Sequence, residues 1–450
     1  MTPSDHRPAA ALLSSTAEPQ AGARAWWGLA LMTLIYSCHY LDRTVIAIVV
    51  EPVRREFSLR DDQIGLLTGL AYGLSFALAV LPLGYLIDRV NRRNLLAVLV
   101  FVWSGMTALC GMAQGFGTLL LARIGVGAAE AGGSPTSLSL ISDLFPASRR
   151  STAIGVLFLS SGIGALASAV VGAVVAAQYG WRAALLVAGL PGMLLALLLL
   201  VTLREPRRGA MEPGRTADDQ LQATPALAPS VVFRLILKEP ALLHLLAGLS
   251  LLTAGIATVG AWLPSFLMRY HSMDLKMASI VPAIVFGVFS CVGTVVGGIV
   301  GDRLARTRPT GRLGLCLGVT LLAVPAGLGA MIAPSAPVAV VMSFAVAALT
   351  FVTFPNGFST MLGVVPPGMR GMTAAVTQLC TNLVGYGMGP YVVGLLSQQI
   401  GGPDSLRVAL SIVVPATLLW GALHFWLALG HQRRKSAMAQ ASSSTHAGAA

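Results

Sequence analysis

The sequence predicts an all-α membrane protein of twelve transmembrane helices in two pseudo-symmetric six-helix bundles. Three observations predict it. Hydrophobic residues are 55% of the 450 and charged residues only 11%, where soluble domains carry roughly 25% charged. Apolar runs of about 20 residues recur between short polar hinges, and that length spans a hydrocarbon core of roughly 30 Å. The hinges themselves repeat: Gly84-x-x-x-Asp88-Arg89 returns as Gly298-x-x-x-Asp302-Arg303, 214 residues on (302 − 88). Pro146, Arg150 and Val156 return as Pro366, Arg370 and Val376 at an offset of 220 (366 − 146).

Taken in order, residues 1–24 are rich in Ala, Pro and Ser and read as a disordered tail. The first bundle is expected over 25–203, with helices near 26–50, 63–87, 94–113, 117–143, 151–177 and 181–202. Trp26 and Trp27 suit the membrane interface. A Pro- and charge-rich linker occupies 204–239, and its end, Ser230 to Lys238, is patterned as a short amphipathic surface helix. The second bundle is expected over 240–430, with helices near 241–268, 277–301, 313–333, 336–362, 372–398 and 405–429, and 431–450 as a disordered tail. The five cysteines fall in apolar helices without metal-ligand spacing, so neither disulfide nor metal is expected.

The net charge of +12 is not a nucleic-acid footprint, because Lys and Arg sit in hinges at alternate helix ends. On these spans 21 of the 30 lie on the side holding both termini, seven on the other, and two, Arg43 and Arg123, within helices. Positive charge resists translocation, so the rich side is expected to be cytoplasmic, with both termini inside a cell (inner) membrane.

Four full charges lie inside predicted helices: Asp42, Arg43, Arg123 and Glu130. Such groups cost at least about 2.5–3.5 kcal/mol at the bilayer centre and normally face the interior with partners. Arg123 and Glu130, seven apart, share one helix face about 10 Å apart along the axis. An arginine between two carboxylates at different depths can serve either, and a carboxylate left unpaired at low dielectric tends to take a proton. Asp42 and Glu130 are therefore the candidate proton-coupling groups, with Arg123 as switching partner; a fixed salt-bridge network is the plainer reading. A structural ion pair is expected for Arg43 and simple packing for His39.

At the first hinge, Asp88 is placed to accept from a neighbouring helix N-terminus, while Arg89, Arg92 and Arg93 can reach Asp143 or Glu205. With Gly84 and the repeated Asp302 and Arg303 they form the expected gate on the termini side. The second half carries no charge within its spans, only scattered polar groups such as Thr353, Asn356, Thr381 and Asn382. A cavity with one charged and one apolar wall suits an amphiphile, its headgroup towards Arg123 and Glu130. Hydrogen bonding to helix backbone is the ordinary alternative for each Thr and Asn.

These residues carry a resemblance. Gly84-x-x-x-Asp88-Arg89-x-x-Arg92-Arg93 between helices 2 and 3 of a 6 + 6 bundle resembles the major facilitator superfamily over about Trp26 to Leu429, with Asn91 where that family usually has Gly. Tyr40-Leu41-Asp42-Arg43 and Arg123-Ile124-Gly125-Val126-Gly127-Ala128-Ala129-Glu130 resemble its spinster branch, associated with sphingolipid and lysophospholipid transport. The resemblance implies alternating access around a midplane cavity, and an Asp88 that bonds to helix 11 to hold the cytoplasmic side shut. Two six-helix repeats are also how many secondary transporters are built.

The expectation is a proton-coupled transporter of a lysophospholipid or sphingoid amphiphile. It would act as a monomer among membrane lipids, without cofactor, enzymatic activity or nucleic acid. The alternatives are proton-coupled transport of small organic anions or drugs and, from other classes, a non-transporting receptor or scaffold, or a passive scramblase.

Overall fold

The computed structural model describes residues 21–87, 89–211, 234, 236–365 and 369–447. Asp88, Pro366, the first tail and most of the linker, including part of Ser230 to Lys238, lie outside the described residues. Those described are helical apart from caps and short connections. The first half contains α1 (Ala23–Phe57), α2 (Asp61–Ile87), α3 (Arg92–Gly111), α4 (116–144), α5 (147–179) and α6 (181–202). The second contains α7 (Pro240–Tyr270), α8 (Leu275–Thr307), α9 (Gly311–Met331), α10 (Ala336–Val364), α11 (370–400) and α12 (Ser405–Ala447).

Among the described residues, ten stretches are long and apolar enough to cross a membrane. One of them, Thr152–Thr202, runs over 51 residues and bends back at Gly180 (φ 84°, ψ 169°), which divides α5 from α6. Only a residue without Cβ takes that backbone readily. The helix expected over 117–143 is broken: Phe116–Glu130 and Gly133–Leu144 meet at residues 131–132. Gly132 and Gly133 sit at the break, and each costs a continuous helix about 1 kcal/mol relative to Ala.

The six-helix repeat seen in the hinges is also written in the backbone. Ser58, capping α1, and Ser272, after α7, both adopt φ 51°, and they are 214 apart (272 − 58). Gly180 and Gly401, at the α5–α6 and α11–α12 bends, both have ψ 169°. Wide π-helical turns occur at Leu66–Leu70 in α2, Val171–Ala176 in α5, Ile284–Phe289 in α8 and Thr381–Met388 in α11. These four helices pair across the two halves, and such turns interrupt regular packing where helices bend or work.

The pairing is tight at one end and absent at the other. A Cβ on Gly73 of α2 would lie 2.6 Å from Gly387 Cα of α11, and one on Gly172 of α5 would overlap Ser279 of α8. Towards the termini a Cβ on Gly162 would lie 3.7 Å from Cys291 Sγ, and Gly84 and Gly155 face open space. The halves thus splay apart on the side of the termini and close on the far side. Glu51 near the end of α1 pairs with Arg269 near the end of α7, so the two helices run in the same direction.

Asn91, where the resembled family usually has Gly, sits at φ −67° and caps α3, its side chain accepting from the Asn94 N–H at 2.9 Å, a role Asn favours. One local reading changes. The tail expected to be disordered continues α12 in helix to Ala447. His431 to Gln440 holds Arg, Lys, Gln, Met and Ala with no Gly or Pro to stop it.

Candidate functional site

A cavity of about 220 Å³ lies between the halves. Tyr40, Arg43 and Thr44 of α1 form its polar wall, facing Ala257, Gly260 and Phe286 of α7 and α8. Arg43 departs from the ion pair expected of it. Its guanidinium lies 3.5 Å from the Tyr386 ring centroid and 4.7 Å from that of Tyr72, and it donates to Asn382 Oδ1 at 3.4 Å. Among the described residues no carboxylate lies within ion-pair distance of it. Aromatic faces stabilise a cation without neutralising it, so the cavity keeps an uncompensated positive charge.

Behind that wall sit the other three charges, each at most 2% exposed. Glu130 ends the first segment of α4, where the helix breaks. Its Oε2 accepts from the Tyr72 hydroxyl at 2.6 Å and lies 3.3 Å from His39 Nδ1, while Oε1 has no partner. Asp42 accepts from Ser104 at 3.5 Å, with Thr107 also beside it. Arg123 donates to the Leu67 carbonyl at 3.4 Å and lies 5.6 Å from the Tyr72 ring. Neither carboxylate comes within ion-pair distance of Arg123 among the described residues. A buried carboxylate without cation or full hydrogen bonding is a costly place for negative charge.

Tyr72 is thus the junction, reaching Glu130 by its hydroxyl and both arginines by its ring. Sequence reasoning passed it over as a phenol in an apolar run; the available signal was its isolation between Ile64 and Leu86. Of the expected wall in the second half, only Asn382 touches this constellation. Thr381 donates to the Thr377 carbonyl, and Asn356 to the Gly297 and Val352 carbonyls. Thr353 is wholly buried with its hydroxyl unpartnered.

On the far side Arg269 holds the halves together. Its Nε donates to Glu51 at 2.7 Å and its Nη1 to Asp61 at 3.0 Å, while Ser397 of α11 donates to Asp61 at 2.6 Å. Sequence reasoning counted Arg269 only as one of seven cations on that side. On the termini side Arg92 pairs with Asp143 and, at 2.8 Å, with Glu205. The Arg93 backbone N–H donates to Glu205 at 2.8 Å, and its side chain to the Leu203 carbonyl at 3.0 Å. Arg89 lies over the Tyr85 ring instead, and Asp302 pairs locally with Arg312 while Arg303 is exposed. Among the described residues these bonds on the termini side stay within one half and its adjoining linker, so Arg89, Arg92, Arg93, Asp143, Asp302 and Arg303 do not bridge the halves in this open state. No metal-binding group of three His, Cys, Asp or Glu occurs among the described residues.

A bundle of paired halves, closed on one face around charges buried at midplane, is the architecture of a secondary transporter. The family model of the Major Facilitator Superfamily matches residues 32–390, and the chain belongs to that family. Within it the similarity runs to the spinster branch. A sphingosine-1-phosphate transporter of Danio rerio is 28% identical over 80% of this chain and 74% of its own. A solved bacterial homologue of the human lysosomal transporter Spinster, inward-facing and unoccupied, superposes with a TM-score of 0.80. It is 26% identical, over 92% of this chain and 98% of that one. An MFS-type efflux pump of Mycolicibacterium smegmatis is 28% identical over 95% of this chain and 98% of its own length.

Proposed function

We propose that this multi-pass membrane protein is a proton-coupled transporter of a lysophospholipid or sphingoid-type amphiphile, working by alternating access as a monomer. The observation that carries the reading is the cavity: one uncompensated cation, Arg43, faces an apolar wall of α7 and α8. An anionic headgroup at Arg43 with its chain along Ala257 and Phe286 satisfies both walls. The name of the zebrafish relative supports a phosphate-bearing sphingoid substrate. The unpartnered oxygen of Glu130 and the buried carboxylate of Asp42 support proton coupling. The distribution of Lys and Arg supports an inner membrane with cytoplasmic termini, and hence a cavity open to the cytoplasm.

A second reading, efflux of drugs or small organic anions, is favoured by the near full-length match to the efflux pump. Proteoliposomes with an interior pH dye separate the two. Sphingosine-1-phosphate and lysophospholipids should trigger a pH change in wild type that Asp42→Asn and Glu130→Gln both lose. A response to organic anions alone would transfer the mechanism to the second reading. Silence to both panels from folded protein would end the coupled reading.

A further inference from the structure

Glu130 is sealed from water. Its side chain is 0% exposed, the Tyr72 residue that bonds it is 2% exposed, and α4 breaks directly behind it. A proton that reaches it must pass through a neighbouring side chain. His39, expected from sequence to be a packing residue, is 12% exposed at its side chain and precedes Tyr40, which lines the cavity. Its Nδ1 lies 3.3 Å from Glu130 Oε2, at the edge of proton-transfer reach. Its other ring nitrogen makes no hydrogen bond within the described protein, so it is free to exchange a proton with water at the exposed edge of the ring.

We infer that His39 is the proton relay between the cavity and Glu130. The inference rests on reading Glu130 as a proton-coupling group. In the inward transfer, a hydrated proton passes to Nε2, leaving neutral water behind, and the Nδ1 proton passes to Glu130 Oε2. The carboxylate becomes a neutral acid and the imidazole returns neutral as its other tautomer, which the reverse transfer on release restores. Release runs the same steps backwards. No other reactant is needed.

The surroundings favour this path over its one rival. The groups facing His39 are Tyr36, Tyr40 and Arg43 from α1, Tyr72 from α2, Trp103 from α3 and Glu130 from α4. Of these only Tyr72 could stand in, and it would have to become a phenolate between transfers, far from its ordinary titration near pH 10. Imidazole accepts and releases protons close to neutrality. The ring is also held in place: Tyr36 and Tyr40 centroids lie 5.4 Å away and that of Trp103 6.1 Å. These rings fix the imidazole within 3.3 Å of the carboxylate, so that a small ring tilt brings Nδ1 into line with Oε2.

The test is a pH jump followed by infrared spectroscopy of the protonated-carboxyl band, on full-length protein in nanodiscs and without substrate. Wild type should show a band that Glu130→Gln removes. His39→Gln should reach the same final amplitude at least about tenfold more slowly, the lower range for loss of a positioned acid–base group. His39→Ala should be slowed likewise and recover when free imidazole is added. A band that rises in His39→Gln at the wild-type rate overturns the relay and leaves Glu130 as the coupling group. A slowed His39→Ala that imidazole does not restore assigns His39 a packing role and also overturns the relay. Absence of any Glu130 band in wild type overturns both the relay and the coupled reading of Glu130.

Discussion

The α2–α3 hinge and the α8–α9 hinge carry the same Gly-x-x-x-Asp-Arg spacing and end in different surroundings. In the first half Arg92 is 1% exposed and bound to Asp143 and Glu205, and Arg208 reaches over to the Ile87 and Val90 carbonyls. In the second, Asp302 is 63% exposed at its side chain and meets only Arg312, ten residues on. The residue at the repeat position of Asp143 is Gly363 (143 + 220), and no acidic residue follows Asp404 to replace Glu205. A repeated motif therefore repeats the turn and not the clamp. The clamp needs buried carboxylates from the ends of other helices, and only the first half supplies them.

The largest effect expected from this difference is that of Arg92→Ala. It strands Asp143 and Glu205, and breaking a buried pair costs about 3–5 kcal/mol. The midpoint of thermal unfolding in detergent should fall sharply, and a wild-type midpoint would show the clamp to be ornamental. Arg269→Ala sharpens the contrast, because its bonds join the two halves. It leaves the buried Glu51 with Arg54 alone, at 3.4 Å, as its partner, a cost of up to about 3 kcal/mol by the same argument, borne by the closed far side. Spin labels on the far ends of α2 and α11 should move apart while the unfolding midpoint changes less than for Arg92→Ala.

Next in size is Gly301→Ala in α8. The added methyl would overlap Asn356 Oδ1 and disturb its bond to the Gly297 carbonyl, for about 1–3 kcal/mol of overpacking. Gly84→Ala, facing open space, should stabilise this state by up to about 1 kcal/mol. If it also slows transport, Gly84 is needed where α2 closes against α11 in the alternate state. The smallest effect is that of Arg312→Ala, which removes an exposed pair worth about 0–1 kcal/mol. A loss matching that of Arg92→Ala would erase the distinction between the hinges.

Much of this site was legible in residue types and little of it in contacts. That Asp42, Arg123 and Glu130 would be buried followed from placing charges in membrane-length apolar runs. That Arg123 would reach neither acid did not follow, since a side chain's partner depends on the rotation and depth of each helix to within an ångström. Arg43 had an acidic neighbour in sequence and found two aromatic rings instead, because successive residues of a helix face different directions. His39 and Tyr72 come from different helices, and nothing local in either stretch tells that both meet Glu130.

The sequence by itself determined the membrane class, the helical segments and the twofold repeat of six helices, because apolar length and recurring hinges are one-dimensional properties. Tertiary structure alone decided which end of the molecule is closed, which hinge is clamped and where the uncompensated cation sits. Those outcomes rest on distances between helices far apart in sequence, where a few tenths of an ångström separate contact from open space.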